Sequence, residues 1–215
     1  MKKLIIVGFL LISAVSFHAQ DLYMPRNVKM AYAAGTRSMD GKPGKNYWQN
    51  TADYNISISL DPASRMVTGT EEIIYKNNSP HEISNPAIRL TMNIHRPGAV
   101  REGPASEDYL TDGISIDEFK ENGVAKEWKD RGFTVQTVNL SKKVAPGETV
   151  KLSFRWHYEL SKESGREGMI HKNSFFLAYF YPRVAVFDDI DGWDRVPFTE
   201  SHEFYNDFNN YVFQV

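Results

Sequence analysis

The sequence contains no cysteine, so disulfide staples, thiolate metal ligands and a thiol nucleophile are all excluded. Its stability has to come from a packed core. Beyond the apolar run from Leu4 to Phe17 no stretch is comparably apolar, and that run falls short of the roughly 20 residues a spanning helix needs. No membrane span is expected. Basic residues form no run, and 25 of them face 27 acidic ones for a formal charge of −2, which leaves no footprint for neutralising a phosphate backbone. No nucleic-acid partner is expected. A Gly-rich phosphate loop and a G-x-S-x-G elbow are missing as well, so Ser, His and Asp residues have no frame for nucleophilic catalysis.

What is present begins with an export signal. Lys2 and Lys3 precede the apolar run, and His18-Ala19-Gln20 follow it, the three-part layout of a cleavable signal peptide over residues 1–20. Cleavage after Ala19 or Gln20 leaves a new N-terminus at Gln20 or Asp21, and no cysteine follows to carry a thioether lipid. A secreted or periplasmic location is expected.

Residues 21–50, rich in Gly, Lys, Asn and Met, show no period and read as an irregular arm. Alternation then starts at Tyr54, Ile56, Ile58, Leu60 against Asn55, Ser57, Ser59, the mark of a strand with one buried face. Asp61-Pro62 turns the chain into a second strand, Met66 to Lys76, in which Gly69 reads as a bulge or a close approach. Further extended segments are expected at Ala87 to Ile94, Ile114 to Phe119 and Phe133 to Leu140. The clearest strand runs from Val150 to Leu160, with six apolar residues on one face. A polar loop, Ser161 to Asn173, precedes an aromatic run from Phe175 to Phe187. The last alternating segment, Asn210 to Val215, reads as a strand at which the given chain stops, and truncation is inferred. No amphipathic helix stands out. These patterns predict an all-β domain over 51–215, an antiparallel β-sandwich.

Four groups invite chemistry. His202-Glu203 opens an H-E pair, but a zinc helix needs a second His one turn on, and Asn206 stands there. No metal ligand and no catalytic residue is therefore assigned. Asp188-Asp189-Ile190-Asp191-Gly192 resembles part of a calcium loop, with Phe187 where the first ligand should be. His157 falls in phase with Lys151, Arg155 and Glu159 and reads as a surface residue. Trp48, Trp128, Trp156 and Trp193 suggest a sugar-stacking platform, which would make the chain a stand-alone secreted β-sandwich binding module for carbohydrate or protein.

Two stretches carry a resemblance. Tyr47-Trp48-Gln49-Asn50-Thr51-Ala52-Asp53-Tyr54-Asn55-Ile56, Leu60-Asp61, Val67-Thr68-Gly69-Thr70-Glu71-Glu72, Tyr75-Lys76-Asn77-Asn78-Ser79 and Leu90 to Asn93 resemble the opening strands of aminopeptidase-N-like zinc metallopeptidases, peptidase family M1. Phe180-Tyr181-Pro182-Arg183-Val184-Ala185-Val186-Phe187, Gly192-Trp193 and Glu203-Phe204-Tyr205-Asn206-Asp207-Phe208 resemble the end of the same domain in a secreted bacterial branch. The resemblance implies saddle-shaped β-sheets that wall the substrate cleft of a catalytic domain of the same polypeptide. Zinc, its H-E-x-x-H ligands and the exopeptidase loop would belong to that domain, and peptides would be the substrate. This chain would then hold no cofactor itself. In the family a Gln of this domain lines the pocket for the first substrate residue, and the matching position here is Tyr179.

The resemblance makes a direct prediction about the gene: the reading frame continues past Val215 into H-E-x-x-H and a further Glu. Sequencing downstream of the Val215 codon checks it, and a stop codon there would leave a stand-alone binding module.

Overall fold

The structure, a computed structural model, describes residues 22–163 and 165–215; the expected signal peptide lies outside them. In chain order a helix α1 (Arg26–Ala34) precedes strands β1 (Thr51–Asp61), β2 (Met66–Lys76), β3 (Ala87–Arg89), β4 (Ser115–Glu121), β5 (Val124–Lys126), β6 (Val135–Thr137), β7 (Thr149–Glu159), β8 (Glu167–His171), β9 (Ser174–Leu177), β10 (Arg183–Val184), β11 (Phe187–Asp188), β12 (Gly192–Trp193) and β13 (Asn210–Gln214). A 3-10 turn, Thr91–His95, follows β3. The fold is all-β, as expected, with the strands in a six-stranded sheet ordered β13-β1-β2-β7-β4-β5, a three-stranded sheet β10-β3-β6 and two hairpins.

The period-2 segments form the centre. β1, β2 and β7 each run eleven residues and pair antiparallel along their whole length. From β7, Val150, Leu152, Phe154, Trp156 and Tyr158 point inward and are almost wholly buried. Each such side chain contributes about 2 kcal/mol of burial. Ile88 of β3 and Val184 of β10 belong to the same buried cluster, and the Val184 N–H donates to the Tyr54 hydroxyl at 3.1 Å. The core is thus shared between the two larger sheets.

Gly69 is the close approach, not a bulge. It lies between Ile58 and Trp156 in unbroken register, and any Cβ there would fall inside the indole of Trp156. Between β4 and β5 the Asn122-Gly123 pair turns the chain with φ of 50° and 83°, the left-handed pair that a two-residue hairpin requires.

Several expectations are corrected. The arm holds a nine-residue helix: Pro25 precedes it, and Gly35, at φ 73°, returns its N–H to Tyr32. Pro before and Gly after are helix punctuation, overlooked because the segment shows no broad apolar stripe, with Ala31 its only buried residue. The extended segments at Ala87 and Phe133 shrink to three residues each, the first because the chain tightens into the 3-10 turn. The polar loop after β7 contains β8, which pairs with β9. The aromatic run is split into β9, β10 and β11, since Tyr179 takes a left-handed φ of 56° and Pro182 cannot donate to a ladder. β13 joins the sheet parallel to β1, so the sandwich is not purely antiparallel.

Gly69→Ala is expected to cost about 2–3 kcal/mol through overpacking, read as a lower urea midpoint. Adding Trp156→Leu should recover part of that loss if the indole is what the methyl meets. Additive losses would contradict it.

Candidate functional site

Tyr179 sits between β9 and β10, on the short bridge that carries the chain from a peripheral hairpin back to the core. A positive φ is unusual for an aromatic residue and costs about 1 kcal/mol or more, so its surroundings must hold it. They do so with rings and charges. Phe198 and Phe204 lie 5.5 and 5.4 Å from its ring, and the guanidiniums of Arg166 and Arg183 stand 5.2 and 5.9 Å from it. Its hydroxyl donates to Glu203 at 3.2 Å, and Arg166 pairs with the same carboxylate. Burial is the main cause that raises the phenol above its ordinary value, with Arg166 opposing. The phenol stays neutral and half-buried at the surface, able to present a ring edge and a hydroxyl to a ligand.

Behind Tyr179 lies a group that sequence reasoning did not single out. Glu71 faces the core from β2, opposite Ile56 and Phe154, and neither carboxylate oxygen has a hydrogen-bond partner among the described residues. Desolvation pushes its carboxyl well above the usual range, against the pull of buried Arg183. Arg183 in turn lies 5.5 Å over Tyr181 and 4.7 Å over Phe204. The only signal available beforehand was phase: Glu71 falls on the inward rhythm of Val67, Gly69 and Ile73.

The H-E pair does not form a metal site. Its segment is irregular, not helical. Glu203 turns to Tyr179 and Arg166, whereas the exposed His202 lies 3.3 Å from Glu102 and bonds Thr199. Among the described residues no three His, Asp or Glu side chains converge as ligands would, so the residues present do not fit zinc. The acidic turn is used internally. Asp188 accepts the backbone N–H groups of Ile190 and Asp191 at 3.0 and 2.8 Å. Asp189 takes Arg37 at 2.5 Å and the Thr36 hydroxyl, and Asp191 takes Asn27 at 2.7 Å. Burial alone would raise the Asp189 carboxyl, but the Arg37 and Thr36 bonds win and hold it below the ordinary range. The turn between β11 and β12 is therefore the dock of the arm. Trp48 adds a stack on Phe187 at 5.6 Å.

The indoles offer no sugar platform. Trp156 and Trp193 are buried at 0% and 6% exposure, and Trp128 packs edge-on against Phe119 and Phe154. His157 is a surface residue, 2.9 Å from Asp117. A second group missed from sequence is His95, whose Nδ1 lies 3.0 Å from the Tyr109 carbonyl and whose Nε2 is 3.9 Å from Glu167. Burial lowers the imidazole and raises the Glu167 carboxyl, so both favour their neutral forms. The adjoining cavity, about 70 Å³, is not lined by His95, and the pair serves packing.

No family model matches the sequence, and no curated protein does. Among solved structures, a mutant M1 zinc metallopeptidase from Deinococcus radiodurans bound to a Tyr-Ser-Ala substrate matches at 14% identity and a TM-score of 0.35, over 57% of this chain and 23% of that one. The M1 zinc metallopeptidase of the same organism without the mutation matches at 14% and 0.34, over 55% and 22%. A mutant two-domain M1 zinc metallopeptidase bound to L-tryptophan matches at 14% and 0.35, over 59% and 24%. The matched part spans about a quarter of those structures, and a likeness of this size transfers no activity.

Two predictions follow from the geometry. The native protein keeps on Glu71 a proton that the unfolded chain releases above the ordinary value near 4.5, so this group favours folding most in acid and less as pH rises through its raised value. Glu71→Gln should flatten that decline and raise stability at pH 8 by about 1 kcal/mol or more, measured as urea midpoints at pH 5 and pH 8. An unchanged slope would show Glu71 ionised in the fold. Asp189→Ala should release the arm, so that limited proteolysis within residues 26–45 accelerates about tenfold while the β-core resists.

Proposed function

We propose that this chain is the non-catalytic N-terminal β-domain of a secreted zinc metallopeptidase of aminopeptidase type, walling the substrate cleft of a catalytic domain of the same polypeptide. Zinc and its ligands would belong to that catalytic domain. The sequence resemblance at both ends of residues 47–215 supports this reading. The structural observation that carries it is the uncovered apolar rim along β13: Phe208, Tyr211, Val212, Phe213 and Val215 are 46–84% exposed. Tyr211 stacks on Tyr54 at 5.0 Å and Phe213 meets Phe180 at 5.4 Å, so one side of the rim is seated on the core and the other is bare. Bare contiguous apolar surface of this kind marks an interaction site.

In this reading Tyr179 stands in the cleft wall, where its half-buried ring would flank the first substrate residue. A phenol pinned to Glu203 and flanked by Arg166 narrows such a pocket and adds a cation beside it. The domain would shape and orient while the chemistry proceeds on its neighbour.

The test uses the longer polypeptide. It should bind one zinc and release N-terminal residues from peptides, and Tyr179→Gln should change the preference between first residues roughly tenfold, the worth of one altered pocket contact, with zinc content unchanged. An identical substrate profile would remove Tyr179 from the cleft. The 215-residue chain alone is expected to retain no stoichiometric zinc after dialysis and to cleave no chromogenic aminoacyl substrate; bound zinc with chelator-sensitive cleavage would contradict the assignment.

A further inference from the structure

A groove of about 680 Å³ lies along β6 and shares Phe198 with the surroundings of Tyr179. β6 is the last strand of its sheet and, among the described residues, pairs only with β3. Its even-numbered residues bond toward β3: the Thr134 carbonyl accepts from Leu90 and the Val138 N–H donates to Pro86, on either side of the Ile88–Gln136 pair. Because backbone groups alternate in direction along a strand, Val135 and Thr137 turn their N–H and C=O groups the other way. Among the described residues these groups have no partner, and both residues line the groove. The floor of the groove is thus an unpaired strand edge.

Its walls are held in place from beneath. The Gln136 side chain donates to the Lys129 carbonyl at 2.8 Å and accepts the Arg131 N–H at 3.2 Å, which fixes the loop bearing Arg131 and Phe133. The Thr134 hydroxyl accepts the Phe198 N–H at 3.0 Å, which fixes the loop bearing Arg195 and Pro197. Arg96 closes one end, already paired with Asp130 at 2.6 Å. The lining therefore holds three arginines and no carboxylate, in a chain where acids outnumber bases. No described side chain pairs with Arg131 or Arg195. Phe133, 61% exposed, and Val100, 72% exposed, supply apolar contact.

We propose that this groove binds an extended acidic peptide segment, which adds to β6 as a further strand and sets its carboxylates against Arg131 and Arg195. Backbone bonds to Val135 and Thr137 give affinity, and the arginines choose the sign of the side chains, the division of labour seen wherever a peptide extends a sheet. Arginine suits the task, since its planar fork accepts a carboxylate in two bonds. Exposed strand edges in proteins are usually blunted by charge of their own or by cover, whereas this edge is open and rimmed by one sign. The proposal does not depend on the peptidase reading, because it concerns the edge of β6 and is measured on this chain.

The probe is a fluorescein-labelled peptide of four Val-Glu repeats, which as a strand places all its carboxylates on one side, titrated with the 215-residue protein by fluorescence anisotropy. Binding that weakens with added salt is expected. Arg131→Ala and Arg195→Ala should each weaken it about tenfold, in line with the loss of one charge-assisted pair. Thr137→Pro removes an outward N–H without touching the β3 ladder and should weaken it as well, while circular dichroism stays unchanged. A Val-Lys peptide that binds as tightly, or a peptide N-methylated at alternate residues that binds undiminished, would overturn the proposal. So would equal affinity of the two arginine variants and the unaltered protein.

Discussion

Everything in this molecule hangs on one contact, the indole of Trp156 filling the space that a side chain at Gly69 would need. Without cysteine the chain has only burial to hold its sheets together, and the ladders of β1, β2 and β7 are where burial is densest. The absent side chain at Gly69 lets the largest inward residue of β7 reach β2, and Trp156 then continues the stack with Tyr158 and Phe180. That continuation leads to the bridge bearing Tyr179. The candidate site is therefore positioned by the core, although it lies outside the regular strands.

The same core imposes the chief cost. Glu71 follows Gly69 on the inward face and loses its water without gaining a hydrogen bond. Arg183 offsets that loss only in part, which leaves a neutral carboxyl beneath an aromatic surface. A buried group of this kind is a common companion of functional surfaces, and here it separates the packed centre from the ring of Tyr179, Tyr181 and Phe204.

The central strands were readable from sequence because each has one wet and one dry face, so Ile56, Ile73 and Leu152 announce themselves by alternation. Gly69 was readable too, as an interruption inside such a pattern. What alternation does not encode was lost. Helix α1 buries only Ala31 and shows itself only in Pro25 and Gly35. β8 is short, and its Glu167, Gly168 and His171 follow no rhythm. The partners of charged residues were invisible for a different reason: Arg37 meets Asp189 across 152 positions, and His95 meets Glu167 only because the 3-10 turn folds under β8. Tyr179 could be named by resemblance, but its left-handed φ and its bond to Glu203 follow from packing among Phe198 and Phe204. Trp193, one of the four indoles that suggested a sugar platform, is drawn inward by Tyr75 and Phe187.

The edge of β13, with its apolar rim, and the edge of β6, with its arginines, differ in the surface they offer. The central claim, that β13 is the face on which a catalytic domain of the same polypeptide rests, is tested most directly by amide hydrogen exchange. Exchange at residues 211–215 would be compared between this chain and the polypeptide extended through the downstream reading frame. Slowing of those amides by about a hundredfold or more in the longer protein, with β2 and β7 unchanged, is the result predicted, since docking buries an edge that is otherwise free to open. Equal exchange in both proteins would contradict it.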